Sequence, residues 1–130
     1  MIHGFSEQTE PLTEQEEQVY LPPIVRGLMT KYGKGCSVTN KAIVDGLKRN
    51  LGIHITEARV RKIINHIRTH DIVPCLIATS NGYYIASSEQ ELKEYEDSLL
   101  GREAAIRQVR QSIQRQRIAR YSPQQPSLFT

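Results

Sequence analysis

The sequence has little of what a membrane protein or a disulfide-rich protein needs. Its 130 residues include no tryptophan, two phenylalanines and two cysteines, Cys36 and Cys75. No apolar run approaches the roughly 20 residues that a membrane span requires, and the first residues lack the apolar segment of a signal peptide. We therefore expect a cytoplasmic protein with one domain and extensions, in which both cysteines are reduced thiols.

A recognisable catalytic arrangement is also missing. The segment 33–36, Gly-Lys-Gly-Cys, lacks the spacing of a nucleotide-binding loop, and the carboxylates between residues 45 and 71 are scattered rather than paired. His66 and His70 are four residues apart, which can suit a metal, but no second cluster of ligands accompanies them. We therefore predict that the protein is not an enzyme and that it holds no metal and no cofactor.

Charge is distributed unevenly along the chain. Residues 1–20 hold five carboxylates and neither lysine nor arginine. Residues 21–86 hold ten basic and three acidic residues, and residues 87–130 hold seven and six. The positive charge is thus concentrated in residues 21–86, as a phosphate-binding surface requires, although an ordinary solvated basic face has the same composition.

The most informative stretch is the segment 53–86, which begins with a predicted central helix. Thr56 is a good N-cap, because its hydroxyl can accept a hydrogen bond from an amide of the first turn. Four apolar residues then recur at helical spacing and form one stripe, Val60, Ile63, Ile64 and Ile67. The side of the helix opposite this stripe is rich in basic and amide side chains, which suits a surface that meets nucleic acid.

A β-hairpin is predicted directly after the central helix. A short apolar run covers residues 75–78, and the β-prone residues 83–85 follow. Between them, Asn81-Gly82 is the pair best suited to a type I′ turn, with both residues at positive φ. A basic helix that leads into a hairpin is the arrangement of a winged helix-turn-helix.

Capping signals predict the helices before the central one. Thr13 and Glu16 fit a capping box, so a first helix should start there. Pro22-Pro23 should then kink or restart it, with Pro23 near the start of a helix that reaches about Tyr32. Thr39 should cap the next helix, whose end is marked by Gly52.

These elements define the expected fold class and its division along the chain. We expect a mostly α fold with a small β-hairpin (α+β), that is, a winged helix-turn-helix with an extra C-terminal helix. The flexible acidic arm covers residues 1–11, the winged-helix domain 12–87, the C-terminal helix 88–120 and a flexible tail 121–130. The two prolines of the tail exclude a helix there.

The C-terminal helix carries an apolar stripe whose members recur every seven residues. The capping pair Ser88 and Glu91 marks the start of this helix. The members of the stripe are Leu92, Leu99, Ile106 and Ile113. The first half of the stripe should pack on the domain, and the alternative is a short coiled-coil seam of a homodimer through residues 92–113. From residue 102 to 120 there are six arginines and one glutamate, which fits either a basic arm along nucleic acid or a solvated face.

The candidate DNA-binding residues lie on the central helix and next to it. Arg61, Lys62 and Asn65 are the expected readers of the major groove, since arginine and lysine suit guanine and asparagine suits adenine. The remaining candidates are the phosphate contacts Lys41, Arg59 and Arg68, together with His66 on the helix flank and Asn81 at the hairpin tip. The tip carries no lysine or arginine, so its grip on a minor groove should be weak.

Five segments together resemble a family of small winged-helix proteins encoded by phages and integrated mobile elements. They are VTNKAIVDGL, ITEARVRKIINHIR, the run IVPCLIA, NGYY at residues 81–84 and REAAI at residues 102–106. The resemblance covers roughly residues 12–117. It implies a non-enzymatic protein that binds double-stranded DNA in or near replication, and it transfers no catalytic residues.

A second resemblance lies in the tail. Gln125-Pro126-Ser127-Leu128-Phe129 is similar to the pentapeptide with which bacterial replication and repair proteins dock on the sliding clamp. It implies that Gln125, Leu128 and Phe129 bind the clamp, with Pro126 standing where that motif most often has leucine.

Two other functions fit the same residues. One is a dimeric transcriptional regulator that uses the same helix, which would prefer palindromic sites. The other is a protein–protein adaptor with a winged helix and no DNA binding, in which the basic face is incidental.

Overall fold

The computed structural model describes residues 8–123, which are mostly helical with one small antiparallel sheet. A π-helical segment, Glu16–Tyr20, leads into helix α1, Leu21–Leu28, and a short 3-10 turn follows at Lys34–Cys36. Helices α2, Asn40–Leu51, and α3, Glu57–Thr69, precede the strands β1, Leu76–Thr79, and β2, Gly82–Ile85. Helix α4 covers Glu89–Tyr121. The expected α+β class is therefore confirmed.

Local capping fixes the starts of α2 and α3 as predicted. The Thr39 hydroxyl accepts a hydrogen bond from the Ala42 amide at 3.1 Å, and the Thr56 hydroxyl accepts one from the Arg59 amide at 3.2 Å. Gly52 ends α2 with φ of 64°, a left-handed conformation that glycine adopts without steric strain.

The first helical segment begins with the predicted capping box, and a new helix starts at the two prolines, as predicted. The Thr13 amide donates to Glu16 Oε1 at 2.9 Å, and the Glu16 amide donates to Thr13 Oγ1 at 3.2 Å. The chain then passes from the π-helical segment straight into α1, with Pro22 and Pro23 in the first turn, where a missing amide leaves no intrahelical bond unmade. Helix α1 ends at Leu28, so the predicted extension to about Tyr32 is wrong.

The hairpin forms, but its turn is not the one predicted. Thr79 pairs with Gly82, so the two turn residues are Ser80 and Asn81. Gly82 has φ of 122°, whereas Asn81 is not among the residues at positive φ, so the prediction that both are positive is wrong. The Thr79 hydroxyl explains the difference, because it accepts a hydrogen bond from the Asn81 amide at 3.1 Å and shapes the turn from the side.

A third stretch of extended chain pairs with β2 on the side away from β1. The Val38 amide donates to the Tyr83 carbonyl at 3.0 Å, and the Tyr83 amide donates to the Val38 carbonyl at 2.8 Å. A Cβ atom at Gly82 would lie 2.5 Å from the Val38 carbonyl oxygen. Gly82 is therefore required by this close backbone approach, which ties the start of α2 to the hairpin.

The hydrophobic core lies within residues 20–85 and is built on one face of α3. The predicted stripe is confirmed, since Val60, Ile63, Ile64 and Ile67 are all buried. The other core members come from the π-helical segment, α1, α2 and the region of the hairpin: Tyr20, Ile24, Leu28, Leu47, Val73, Leu76, Tyr83 and Ile85. Each large apolar side chain buried in this way contributes roughly 1.5–3 kcal/mol. The burial holds α3 with its apolar face inward and its charged face outward.

The described chain forms two compact units, one up to Leu92 and one from Lys93 onward. Helix α4 starts at a capping site, where the Glu91 amide donates to the Ser88 hydroxyl at 3.2 Å, and it continues through Gly101 without a break. None of the residues Glu89–Tyr121 is buried, and the packing of the first half of its stripe on the domain stays a prediction.

Among residues 8–123, no helix is both long enough and apolar enough to cross a lipid bilayer.

Candidate nucleic-acid interface

The outward face of α3 lies against the chain segment 8–20. The Asn65 side-chain amide donates to the Gln8 carbonyl at 3.2 Å, and Lys62 Nζ lies 2.7 Å from Glu16 Oε1. These contacts join residues 57 and 46 positions apart in the sequence. Two of the three predicted groove readers are therefore held by this segment, which we call the N-terminal cover.

Glu16 is the centre of the contact between the cover and α3. Its side chain is 2% exposed. Glu16 Oε1 accepts a hydrogen bond from Lys62 Nζ at 2.7 Å, and Arg59 Nε lies 3.4 Å from Glu16 Oε2. The side chain of Lys62 is 13% exposed and that of Arg59 is 42% exposed. Two cations from one face of α3 thus converge on a single buried carboxylate.

The environment of Glu16 keeps it ionised. Burial alone would raise the pKa of its carboxyl group, but the hydrogen bonds and charge of Lys62 and the hydrogen bonds from Thr13 together lower the pKa below its ordinary value. A buried charge that is paired and hydrogen-bonded in this way avoids most of the penalty of desolvation. Glu16 therefore serves two roles, as the cap of its own helix and as the counter-ion of α3.

Tyr20 completes the contact at the end of the π-helical segment. Its ring is buried, and the Arg59 guanidinium carbon lies 5.4 Å from the ring centroid. A guanidinium nitrogen of Arg59 also donates to the Tyr20 hydroxyl at 3.4 Å. Since a cation above an aromatic face is attracted by the ring's negative quadrupole, Arg59 is oriented by Tyr20 as well as by Glu16.

His66 and His70 form a stacked pair near the end of α3. Their ring centroids are 4.0 Å apart, and His66 is half-buried. Burial and the nearby charge of His70 lower the pKa of His66, against a smaller opposing effect of Glu17. Within residues 8–123, no group of three or more histidine, cysteine, aspartate or glutamate side chains could hold a metal ion.

Three other candidate residues, Lys41, Arg61 and Asn81, make no hydrogen bond or ion pair with residues 8–20 in the described part of the chain. Arg61 and Lys41 are exposed, Arg68 is half-buried and has an interaction of its own, and Asn81 is exposed at the hairpin turn. Lys41 lies in the first turn of α2. These side chains are the part of the predicted interface that faces solvent in this conformation.

Sequence reasoning did not predict the contacts that Glu16 and Tyr20 make with α3. Glu16 was recognised as a capping residue, which explains one of its carboxylate contacts but not the pairing with Lys62. The signal was present in the charges, because an acidic segment of 20 residues precedes a strongly basic one. Opposite charges on neighbouring segments of one chain favour their association.

Helix α4 presents its charges differently. The arginines between residues 102 and 120 are all exposed. Arg107 lies 3.7 Å from Glu103 and Lys93 lies 3.0 Å from Asp97, both as exposed pairs one turn apart. Such exposed pairs add little to the stability of a helix, because solvent screens them.

Comparisons with known proteins add no assignment: no family model matches the chain, and no curated protein or solved structure matches it. The predicted clamp-binding residues Gln125, Leu128 and Phe129 lie outside the described residues.

Proposed function

We propose that this chain is a non-enzymatic protein that binds double-stranded DNA through a winged-helix arrangement. The order of elements supports the proposal: α1, the extended Val38, α2, α3 and a hairpin whose second strand pairs with Val38. In such an arrangement the third helix is the one that enters the major groove. Here that helix is α3, whose apolar face is fixed in the core.

The observation that carries the proposal is the convergence of Lys62 and Arg59 on one anion. The two side chains come from the same face of α3, and both lie within 3.4 Å of a Glu16 oxygen. A DNA phosphate offers oxygens of the same charge to the same two cations. Glu16 therefore occupies the position that a phosphate of the duplex takes in the bound state.

Binding by this face requires that residues 8–16 of the N-terminal cover leave α3, while Tyr20 stays in the core. Departure of the cover frees Lys62 and Arg59 to hold a phosphate and Asn65 to reach a base edge. Arg61, Arg68 and Lys41 contact the backbone as well. Because releasing counterions from DNA drives such contacts, affinity should fall steeply as salt concentration rises.

Fluorescence anisotropy with a labelled duplex tests the proposal. Arg61→Ala, which removes an exposed charge from α3, should weaken binding at all sequences and reduce the salt slope by about one. Arg26→Ala is the matched control, since Arg26 is an exposed arginine in the last turn of α1 and should leave the affinity near that of the unchanged protein. Equal affinity of both variants, or affinity that does not depend on salt, contradicts the proposal.

A protein–protein adaptor without DNA binding is the second candidate. The N-terminal cover favours it, because the face of α3 that would read DNA is occupied within the chain. An adaptor predicts no salt-dependent affinity for any duplex, even in a variant whose cover is weakened.

The proposed place of this function is in or near the replication of a phage or mobile element. That part rests on the resemblance of residues 12–117 to such proteins and of Gln125–Phe129 to a sliding-clamp docking peptide. Calorimetry of a peptide of residues 121–130 with purified clamp tests the second resemblance, with Leu128→Ala/Phe129→Ala as the control peptide. Absence of heat with the unchanged peptide at hundreds of micromolar contradicts it.

A further inference from the structure

Helix α4 is long and solvent-exposed, and it carries a row of apolar side chains on one side. It runs for 33 residues, none of them buried. Ile106 is 69% exposed and Val109 is 63% exposed, and both lie in the row Leu99, Ile106, Val109, Ile113. Single exposed apolar residues are common, but a row at spacings of seven, three and four residues matches the a and d positions of a coiled-coil seam. Since helices in water are stabilised mainly by packing an apolar face, this row calls for a partner.

The charges of α4 identify the partner and its direction. Residues 89–97 contain five carboxylates and one lysine, whereas residues 102–120 contain six arginines and one glutamate. Two parallel copies would place acidic next to acidic and basic next to basic. Two antiparallel copies place acidic residues near the start of each helix, such as Glu96, next to arginines near the end of the other, such as Arg117.

We propose that α4 is the self-association surface of the protein, and that it pairs with α4 of a second copy in an antiparallel coiled coil. This proposal stands on α4 alone and does not depend on DNA binding. We infer that a second copy of α4 covers the apolar row, because an antiparallel α4 presents charges that are opposite to those of the first helix.

The heptad positions define the register. With the two-fold axis between residues 107 and 108, Ile106 of one copy lies opposite Val109 of the other, and each copy contributes both. The same register places Leu99 opposite Gln116 and Ile113 opposite the aliphatic part of Arg102. These two polar residues weaken the seam, so we expect a dimer that forms with increasing concentration.

The positions that flank the seam match in charge only in this register. Glu96 of one copy meets Arg117 of the other, and Glu103 meets Arg110, so that symmetry gives four opposite-charge contacts. Residues on the other flank are small and repeat every seven positions: Ser98, Ala105, Ser112 and Ala119. Small side chains let two helices approach closely, because the distance between helix axes depends on the side chains at the contact.

Sedimentation equilibrium of the full chain measures the dimer directly. At low salt the mass should rise with concentration from 14.8 kDa toward twice that value. Ile106→Glu should raise the dimer dissociation constant at least tenfold, because it places a charge in the central layer of the seam. Ile118→Glu is the matched control, since Ile118 is exposed on the same helix but lies off the seam, and it should change the constant less than twofold.

A charge exchange tests the antiparallel direction. Glu103→Arg and Arg110→Glu should each weaken the dimer, because each creates two like-charge contacts. The double variant Glu103→Arg/Arg110→Glu should restore it, since every contact is again between opposite charges. A mass that stays at 14.8 kDa at all concentrations, equal effects at Ile106 and Ile118, or failure of the exchange to restore the dimer overturns the proposal. Far-UV circular dichroism of each variant checks that α4 is still helical.

Discussion

The N-terminal cover on α3 and the helix α4 are both highly charged, but their charges find different partners. In the first region Lys62, Arg59 and Glu16 meet within the chain, and the carboxylate is 2% exposed. In the second region the arginines remain at the surface, with local pairs such as Glu103–Arg107 in solvent. The number of charges in a region therefore does not locate an interface. The informative property is whether a charged side chain is already paired with an opposite charge within the chain.

The largest effect is expected from adding one methyl group at a glycine, with the hairpin of the α3 domain compared with α4. Gly82→Ala should lower the free energy of unfolding by about 3 kcal/mol, because the new Cβ meets the Val38 backbone and φ is positive. Gly101→Ala should raise helix stability by about 0.5–1 kcal/mol, since it lies in open space within α4. Urea unfolding followed by circular dichroism measures both. Similar changes at the two sites would contradict the difference in packing between the regions.

A smaller but more specific loss is expected when a carboxylate is removed from each region. Glu16→Ala should lower the free energy of unfolding by about 2–3 kcal/mol, because it leaves Lys62 nearly buried without its partner and removes a cap. Glu103→Ala should change it by less than about 0.5 kcal/mol, since that pair is exposed.

A double variant separates the charge pair from the cap. Glu16→Gln/Lys62→Met should be more stable than Glu16→Gln alone, because it removes the unpaired cation together with its partner. Equal stability of the two would mean that Lys62 is solvated without Glu16 and that the pair contributes little.

Acidification should weaken the first region before it affects α4. The pKa of Glu16 is lowered in the folded protein, so its contribution is complete above the unfolded value, about 4.3, and is lost as pH falls through the lower folded value. The lowered pKa of His66 acts in the same direction at higher pH, because the neutral ring is favoured in the fold. Unfolding free energy should therefore decline from about pH 6.5 downward.

The variant Glu16→Gln is the control for the acid step. Its free energy of unfolding should still decline as His66 becomes protonated. The further loss that protonation of Glu16 causes below about pH 4.3 should be absent. An unchanged pH profile in this variant would show that other carboxylates cause the acid transition.

Local features of the fold could be predicted from the sequence, whereas long-range contacts could not. Thr39 and Thr56 cap helices through amides three residues away, so their signals are contained in short segments. The turn at Ser80-Asn81 was misplaced by one residue because the Thr79 side chain, not an asparagine-glycine preference, shapes it. Gly82 is needed for its contact with Val38, a residue 44 positions away that no turn rule includes.

The candidate site shows the same division. The basic face of α3 followed from helical spacing, and Lys62 and Asn65 lie on that face as expected. Its partner was missed because Glu16 belongs to another segment, and tertiary packing alone brings the two together. For α4, periodicity likewise predicts the apolar row but does not say what covers it.

The most direct test of the account compares the DNA affinity of the unchanged protein with that of Glu16→Gln. In the proposed binding mode Glu16 occupies the anion position on α3, so weakening its hold on Lys62 and Arg59 should release the cover and tighten binding to a duplex. We expect about a tenfold gain in affinity at moderate salt, equivalent to about 1.4 kcal/mol, and loss of that gain in Glu16→Gln/Lys62→Met. Glu14→Gln, an exposed carboxylate two residues away, is the matched control and should give no gain. If Glu16→Gln binds the duplex no more tightly than the unchanged protein, the buried carboxylate is only a structural counter-ion and α3 is not the DNA-reading helix.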